Sequence, residues 1–120
     1  MNGVRSAAAL LAEEIQKSKE YNDYHHLLEQ LRRQPALYEQ VQQLRLENFR
    51  FQNGPEMMDS GTYKVLEKKY EELLRYRLVR EFLGAEARLI RMLQEVNDSV
   101  SSAADLDFTF LTTNGQGEKS

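Results

Sequence analysis

Between residues 4 and 15 the apolar side chains fall at Val4, Ala8, Leu11 and Ile15, alternating steps of four and three that place them on one face of a helix. The same spacing resumes at Tyr21, Tyr24, Leu28 and Leu31, but one residue out of register. Each residue turns a helix by about 100°, so one straight helix would swing its apolar face by that angle. The pattern therefore predicts a break near Ser18, with Ser18 capping a second helix and Glu20 in its positively polarised first turn. Gln34-Pro35 ends that helix and starts another, because proline disfavours helical geometry in the residue before it yet suits a first turn.

The third helix, about Pro35 to Gln52, carries two apolar faces. One is Leu37, Val41, Leu44 and Phe51; the other is Tyr38, Leu46 and Phe49, roughly opposite Gln40, Gln43 and Glu47. Two such faces call for neighbours on both. Asn53-Gly54-Pro55 reads as a turn, and Asp59 or Ser60 as the cap of a fourth helix bearing Tyr63, Leu66, Tyr70 and Leu73. From Val79 onward, Phe82, Leu83, Leu89, Ile90, Leu93, Val96 and Val100 spread over about half the helix circumference, wider than a two-stranded seam needs. After Ser101 the chain turns to small and polar residues around one apolar island, Asp105-Leu106-Asp107-Phe108-Thr109-Phe110-Leu111. The leading reading of this stretch is a flexible tail, with docking of the island as a short peptide or strand the minority alternative. The expectation is an all-α fold: an antiparallel bundle of about five helices over residues 1–103, and a flexible C-terminal tail over 104–120.

Composition narrows the function. A chain of 120 residues with 41% apolar and 29% charged positions can bury one modest core, which fits a single folded domain. Sixteen Lys and Arg against nineteen Asp and Glu leave a net charge of −3, without the positive excess of a general nucleic-acid binder. No cysteine is present, which removes disulfides, thiolate metal sites and cysteine nucleophiles within this chain. The longest apolar run, Ala7 to Ala12, is too short for a signal core or a membrane span, so a soluble, cytoplasmic protein without membrane contact is expected.

Candidate chemistry is sparse. His25 and His26 are adjacent and diverge by about 100° on a helix, so they cannot share a metal as i and i+4 residues do. No zinc-protease, phosphate-loop or nucleophile-elbow motif occurs, and paired acids such as Glu13-Glu14 and Glu71-Glu72 read as solvated faces. An enzyme is therefore disfavoured. Glu86 stands apart, because its helical angle falls inside the apolar arc of Val79, Phe82, Leu83, Leu89 and Leu93. A carboxylate there needs a partner, a proton or a surface opening, and an Arg, Tyr or His from another helix is the favoured explanation. Arg32, Arg33, Arg45 and Arg50 lie near the junction of the second and third helices as a candidate basic patch, diluted by Glu29, Glu39 and Glu47.

Three stretches resemble the YlbF/YmcA family of bacterial regulators, over about residues 4 to 103. Ala8-Ala9-Leu10-Leu11-Ala12 through Ile15, running into Ser18-Lys19-Glu20-Tyr21 and Tyr24, is similar to the family's opening. Pro35-Ala36-Leu37 and the glutamine-rich helix to Gln52 and Gly54 match its next helix and turn. Val79-Arg80-Glu81-Phe82-Leu83-Gly84-Ala85-Glu86, followed by Leu89, Leu93 and Val96, is similar to its last signature. The resemblance implies a self-associating helical regulator linked to competence, sporulation and biofilm formation, some members of which assemble with sister subunits and influence messenger-RNA processing by the endoribonuclease RNase Y. Relatives that join an iron–sulfur complex carry C-terminal cysteines, which this chain lacks. Gln34 replaces the usual Asp before Pro35, and Tyr76-Arg77 stands where many relatives have Asn-Pro, which lets the fourth and fifth helices run on without a break.

The combined reading is a non-enzymatic regulatory or adaptor protein without cofactor or metal, a homo-oligomer that contacts protein partners through Tyr38, Leu46, Phe49 and the surroundings of Glu86. The alternative is an RNA-binding module using the arginines at the junction of helices two and three. Purified protein is expected to be colourless and, by elemental analysis, free of stoichiometric iron or zinc; about one tightly held metal per chain would contradict this.

Overall fold

The computed structural model describes residues 2–53 and 60–111. Five helices follow one another: α1 (Gly3–Lys17), α2 (Lys19–Arg32), α3 (Pro35–Asn53), α4 (Ser60–Leu73) and α5 (Arg77–Ala104). No strand occurs among the described residues, so the fold is all-α as the periodicity predicts. Gly54, Pro55 and Asp59, expected as turn and cap, the side chain of Phe51, and residues 112–120 of the expected tail lie outside the described residues.

The register shift at Ser18 is a physical break. Ser18 is extended, at φ −70° and ψ 155°, and closes α1 while opening α2. Its hydroxyl donates to the Ile15 carbonyl at 2.6 Å and accepts from the Tyr21 amide at 3.1 Å. One side chain thus satisfies an orphan group at each of two helix ends, with Glu20 in the first turn of α2. At the next junction the Arg33 and Gln34 amides reach back to the Gln30 and Leu31 carbonyls, and Pro35 begins α3.

Residues 1–89 form one compact unit. Its core gathers Leu28 and Leu31 of α2, Leu37, Val41 and Leu44 of α3, Leu66 and Leu73 of α4, and Val79 and Phe82 of α5. Leu31, Val41, Val79 and Phe82 are sealed from solvent. The ring of Phe82 lies 5.5 Å from that of Tyr24, which couples α5 to α2 through aromatic contact. In contrast, α1 contributes no buried residue; Leu11 and Ile15 are half-buried, while Val4 and Leu10 are exposed.

α4 and α5 do not run on as one helix, a continuity that Tyr76-Arg77 left open. The Arg75 and Tyr76 amides fold back to the Glu72 and Leu73 carbonyls, tightening the end of α4, and α5 starts at Arg77. The guanidinium of Arg80 then reaches over the break, donating to the Leu74 carbonyl at 2.6 Å and the Arg75 carbonyl at 3.1 Å. A cation supplying donors to the free carbonyls of a helix end satisfies groups that continued helix would otherwise have paired. The turn also lets Leu73 and Val79 both enter the core. No glycine or proline marks the break in the sequence.

A second unit begins at Ile90, of which residues 90–111 are described. Within it α5 continues through Ser101 and Ser102 to Ala104, where Asp105 adopts a left-handed φ of 51°. Aspartate tolerates that conformation better than most residues, and its amide bonds back to the Ser102 carbonyl. Beyond it, the Asp107 carboxylate accepts from the Thr109 amide at 2.9 Å and the Thr109 hydroxyl at 2.7 Å, and these bonds hold its carboxyl below the ordinary aspartate range. The Leu111 amide donates to the Phe108 carbonyl, closing a turn.

Ser18→Ala is expected to lower stability by about 1 kcal/mol, the usual size of a lost N-cap, whereas Phe82→Ala is expected to cost about 3–5 kcal/mol through cavity formation. Paired chemical-denaturation curves with unchanged slopes check both values.

Candidate functional site

Glu86 lies one turn beyond Phe82 on α5, the offset at which two side chains stack on one helical face. Its carboxylate accepts a hydrogen bond from Arg45 of α3, in a salt bridge whose side chains keep 19% and 36% of their surface in solvent for Glu86 and Arg45. Glu86 is half-buried, so the pair sits at the margin of the core. Arg45 also lies over the Phe82 ring, 5.6 Å from its centroid, and a second guanidinium nitrogen donates to Gln42 at 2.7 Å. A delocalised guanidinium can meet a carboxylate, an amide and an aromatic face at once, which an ammonium does poorly.

The four arginines of the sequence-level patch are thereby dispersed among different tasks. Arg45 is taken up by Glu86; Arg32 stands 6.0 Å over the Tyr38 ring; Arg33 is 3.9 Å from Glu29. Arg50 lines a cleft between α3 and α4. Of the three apolar candidates on α3, Tyr38 is half-buried against the core, while Leu46 is 44% exposed and Phe49 63%. His25 and His26 diverge as their adjacency requires. His25 packs against Tyr21 at 4.2 Å and Tyr24 at 5.1 Å, and His26 meets Gln30 at 2.8 Å. Among the described residues no group of three or more His, Cys, Asp or Glu side chains is placed to hold a metal ion, and no helix is long and apolar enough to cross a membrane.

The cleft between α3 and α4, about 840 Å³, is the feature that sequence reasoning missed. Its apolar floor is Leu44 and Leu73. Gln40, Gln43 and Glu47, recognised from the sequence only as the polar face of α3, form one wall; Lys69, Glu72, Arg75 and Tyr76 form the other. Lys69 stands 3.8 Å from Glu47 across the gap. The missed signal is the density of long charged side chains near the ends of both helices, which have meaning only once α4 lies against α3.

Because the Arg45–Glu86 pair is partly solvated, removing one partner should cost less than in a sealed pair. Glu86→Ala is expected to destabilise by about 1–2 kcal/mol, with a coupling to Arg45→Ala of about 1 kcal/mol in a double-mutant cycle. Thermal or denaturant melts of both single variants and the double variant check this; additive losses would show that the two side chains do not interact.

The family model described as "Control of competence regulator ComK, YlbF/YmcA" matches residues 4–104. A UPF0342 protein of Desulfitobacterium hafniense (strain Y51) is 26% identical over 103 residues, covering 83% of this chain and 83% of that protein. No solved structure matches. With the match running from the start of α1 to the end of α5, the chain belongs to the YlbF/YmcA family of competence regulators.

Proposed function

We propose that this protein is a non-enzymatic regulatory adaptor that associates with itself and presents its remaining surface to a protein partner. Membership of a regulatory family supports the regulatory part. The observation that carries the adaptor part is the division of labour on α3. Leu37, Val41 and Leu44 are buried, whereas Leu46 and Phe49 on another face are exposed large apolar side chains. Exposed apolar side chains grouped on one helix are what an interface core requires. The half-buried and exposed apolar residues of α1 supply a second such face. Sister subunits of the family and an endoribonuclease such as RNase Y are the partners this reading puts first.

The dispersal of the arginines favours this reading over RNA binding. Arg45, Arg33 and Arg32 are each engaged within the chain, leaving little of a shared phosphate-binding patch.

Light scattering at micromolar concentration is expected to give at least twice the chain mass of 14.0 kDa. Leu46→Glu should shift the mass towards the monomer while leaving the helical circular-dichroism spectrum unchanged, since a charge in an apolar interface is costly and at an exposed site is not. A parent protein that stays at 14.0 kDa across the range overturns the proposal.

A further inference from the structure

The cleft between α3 and α4 and the segment beyond α5 are chemically complementary. Three cations, Arg50, Lys69 and Arg75, line the cleft over the apolar floor of Leu44 and Leu73, beside Tyr76. Two carboxylates also face it. Glu47 is matched by Lys69 at 3.8 Å, so Arg50 and Arg75 stand against Glu72 alone and the local balance is positive in a chain whose net charge is −3. Between Met92 and Leu111 the sequence holds Glu95, Asp98, Asp105 and Asp107 and no lysine or arginine. Leu106, Phe108, Phe110 and Leu111 of that stretch are all more than half exposed.

The segment is also shaped. Asp107 caps Thr109, and the Phe108 and Phe110 rings lie 6.2 Å apart. A peptide whose turn is already formed loses less conformational entropy on docking. A cleft of about 840 Å³ has room for two aromatic side chains with their aliphatic neighbours, and pockets of this size are ordinary for ligands that bury most of their surface.

We propose that the α3–α4 cleft is a docking groove for residues 105–111 of a second copy of this chain, with the aromatic side chains over Leu44 and Leu73 and the aspartates against Arg50 and Arg75. This deepens the self-association reading and rests on it, by naming one pair of surfaces that joins two copies. Charge on both sides sets orientation, and the apolar side chains supply most of the burial.

The test uses a fluorescein-labelled peptide of residues 104–111, titrated with the full-length chain carrying Phe108→Ala and Phe110→Ala so that its own segment does not compete. Saturable binding is expected, weakening as salt rises. Adding Arg50→Glu and Arg75→Glu to the protein, or replacing both aspartates of the peptide by lysine, should each weaken it by about tenfold or more. Melting curves establish that each variant is folded. In light scattering, the Phe108→Ala, Phe110→Ala chain should dissociate at higher concentration than the parent. No saturable binding up to about 1 mM, binding indifferent to the arginine reversals, or binding with parental mass retained in the tail variant would each overturn the inference. In those cases an oligomeric parent leaves the broader self-association reading standing, whereas a monomeric parent removes both.

Discussion

The burial of Phe82 against two other helices organises residues 1–89. Its ring meets Tyr24 of α2 on one side and the guanidinium of Arg45 of α3 on another, and Glu86 one turn on accepts the same guanidinium. A single aromatic side chain thus fixes where α5 lies relative to α2 and α3, while one charged pair fixes its rotation and height. Burial supplies most of the free energy, since a sealed Phe removes a large apolar area from water. The ion pair adds little net stability at its partly solvated position. Its value lies in discrimination: sliding α5 by one turn against α3 would strand both charges and expose the ring.

From that arrangement follows the distribution of exposed surfaces. α3 is committed to the core through Leu37, Val41 and Leu44, so its remaining faces must point elsewhere. One carries exposed Leu46 and Phe49. The polar one, through Gln40, Gln43 and Glu47, becomes the wall of the cleft with α4. A helix that serves three neighbourhoods at once leaves few positions free to vary.

The break between α4 and α5 shows how tertiary structure overrides local preference. Residues 73–80 are good helix formers without glycine or proline, and propensity alone favours continuity. Continuity would fix the angular relation between Leu73 and Val79 and prevent both from entering one core. The chain instead gives up a few helical hydrogen bonds, and Arg80 replaces part of them by donating to the Leu74 and Arg75 carbonyls. Here packing outweighs a handful of backbone bonds because a lost bond remade elsewhere costs little, whereas two exposed aliphatic side chains would each forfeit most of their burial.

What the sequence determined was whatever depends on neighbours within a turn or two. The register slip between Ile15 and Tyr21 located the Ser18 break, Pro35 set the start of α3, and the two apolar faces of that helix followed from spacing alone, because helical angle is a local property. The position of Glu86 inside an apolar arc likewise showed that its carboxylate needed a partner, a proton or a surface opening. Tertiary structure alone decided that the partner is Arg45, at a sequence separation of 41, and so withdrew that residue from the basic patch to which its position had assigned it. The same holds for the cleft and the Arg80 clamp. A charged side chain is equally at home in water, against a ring or beside a carboxylate, so its role is set by which helix face arrives opposite, and that is fixed only when the core closes.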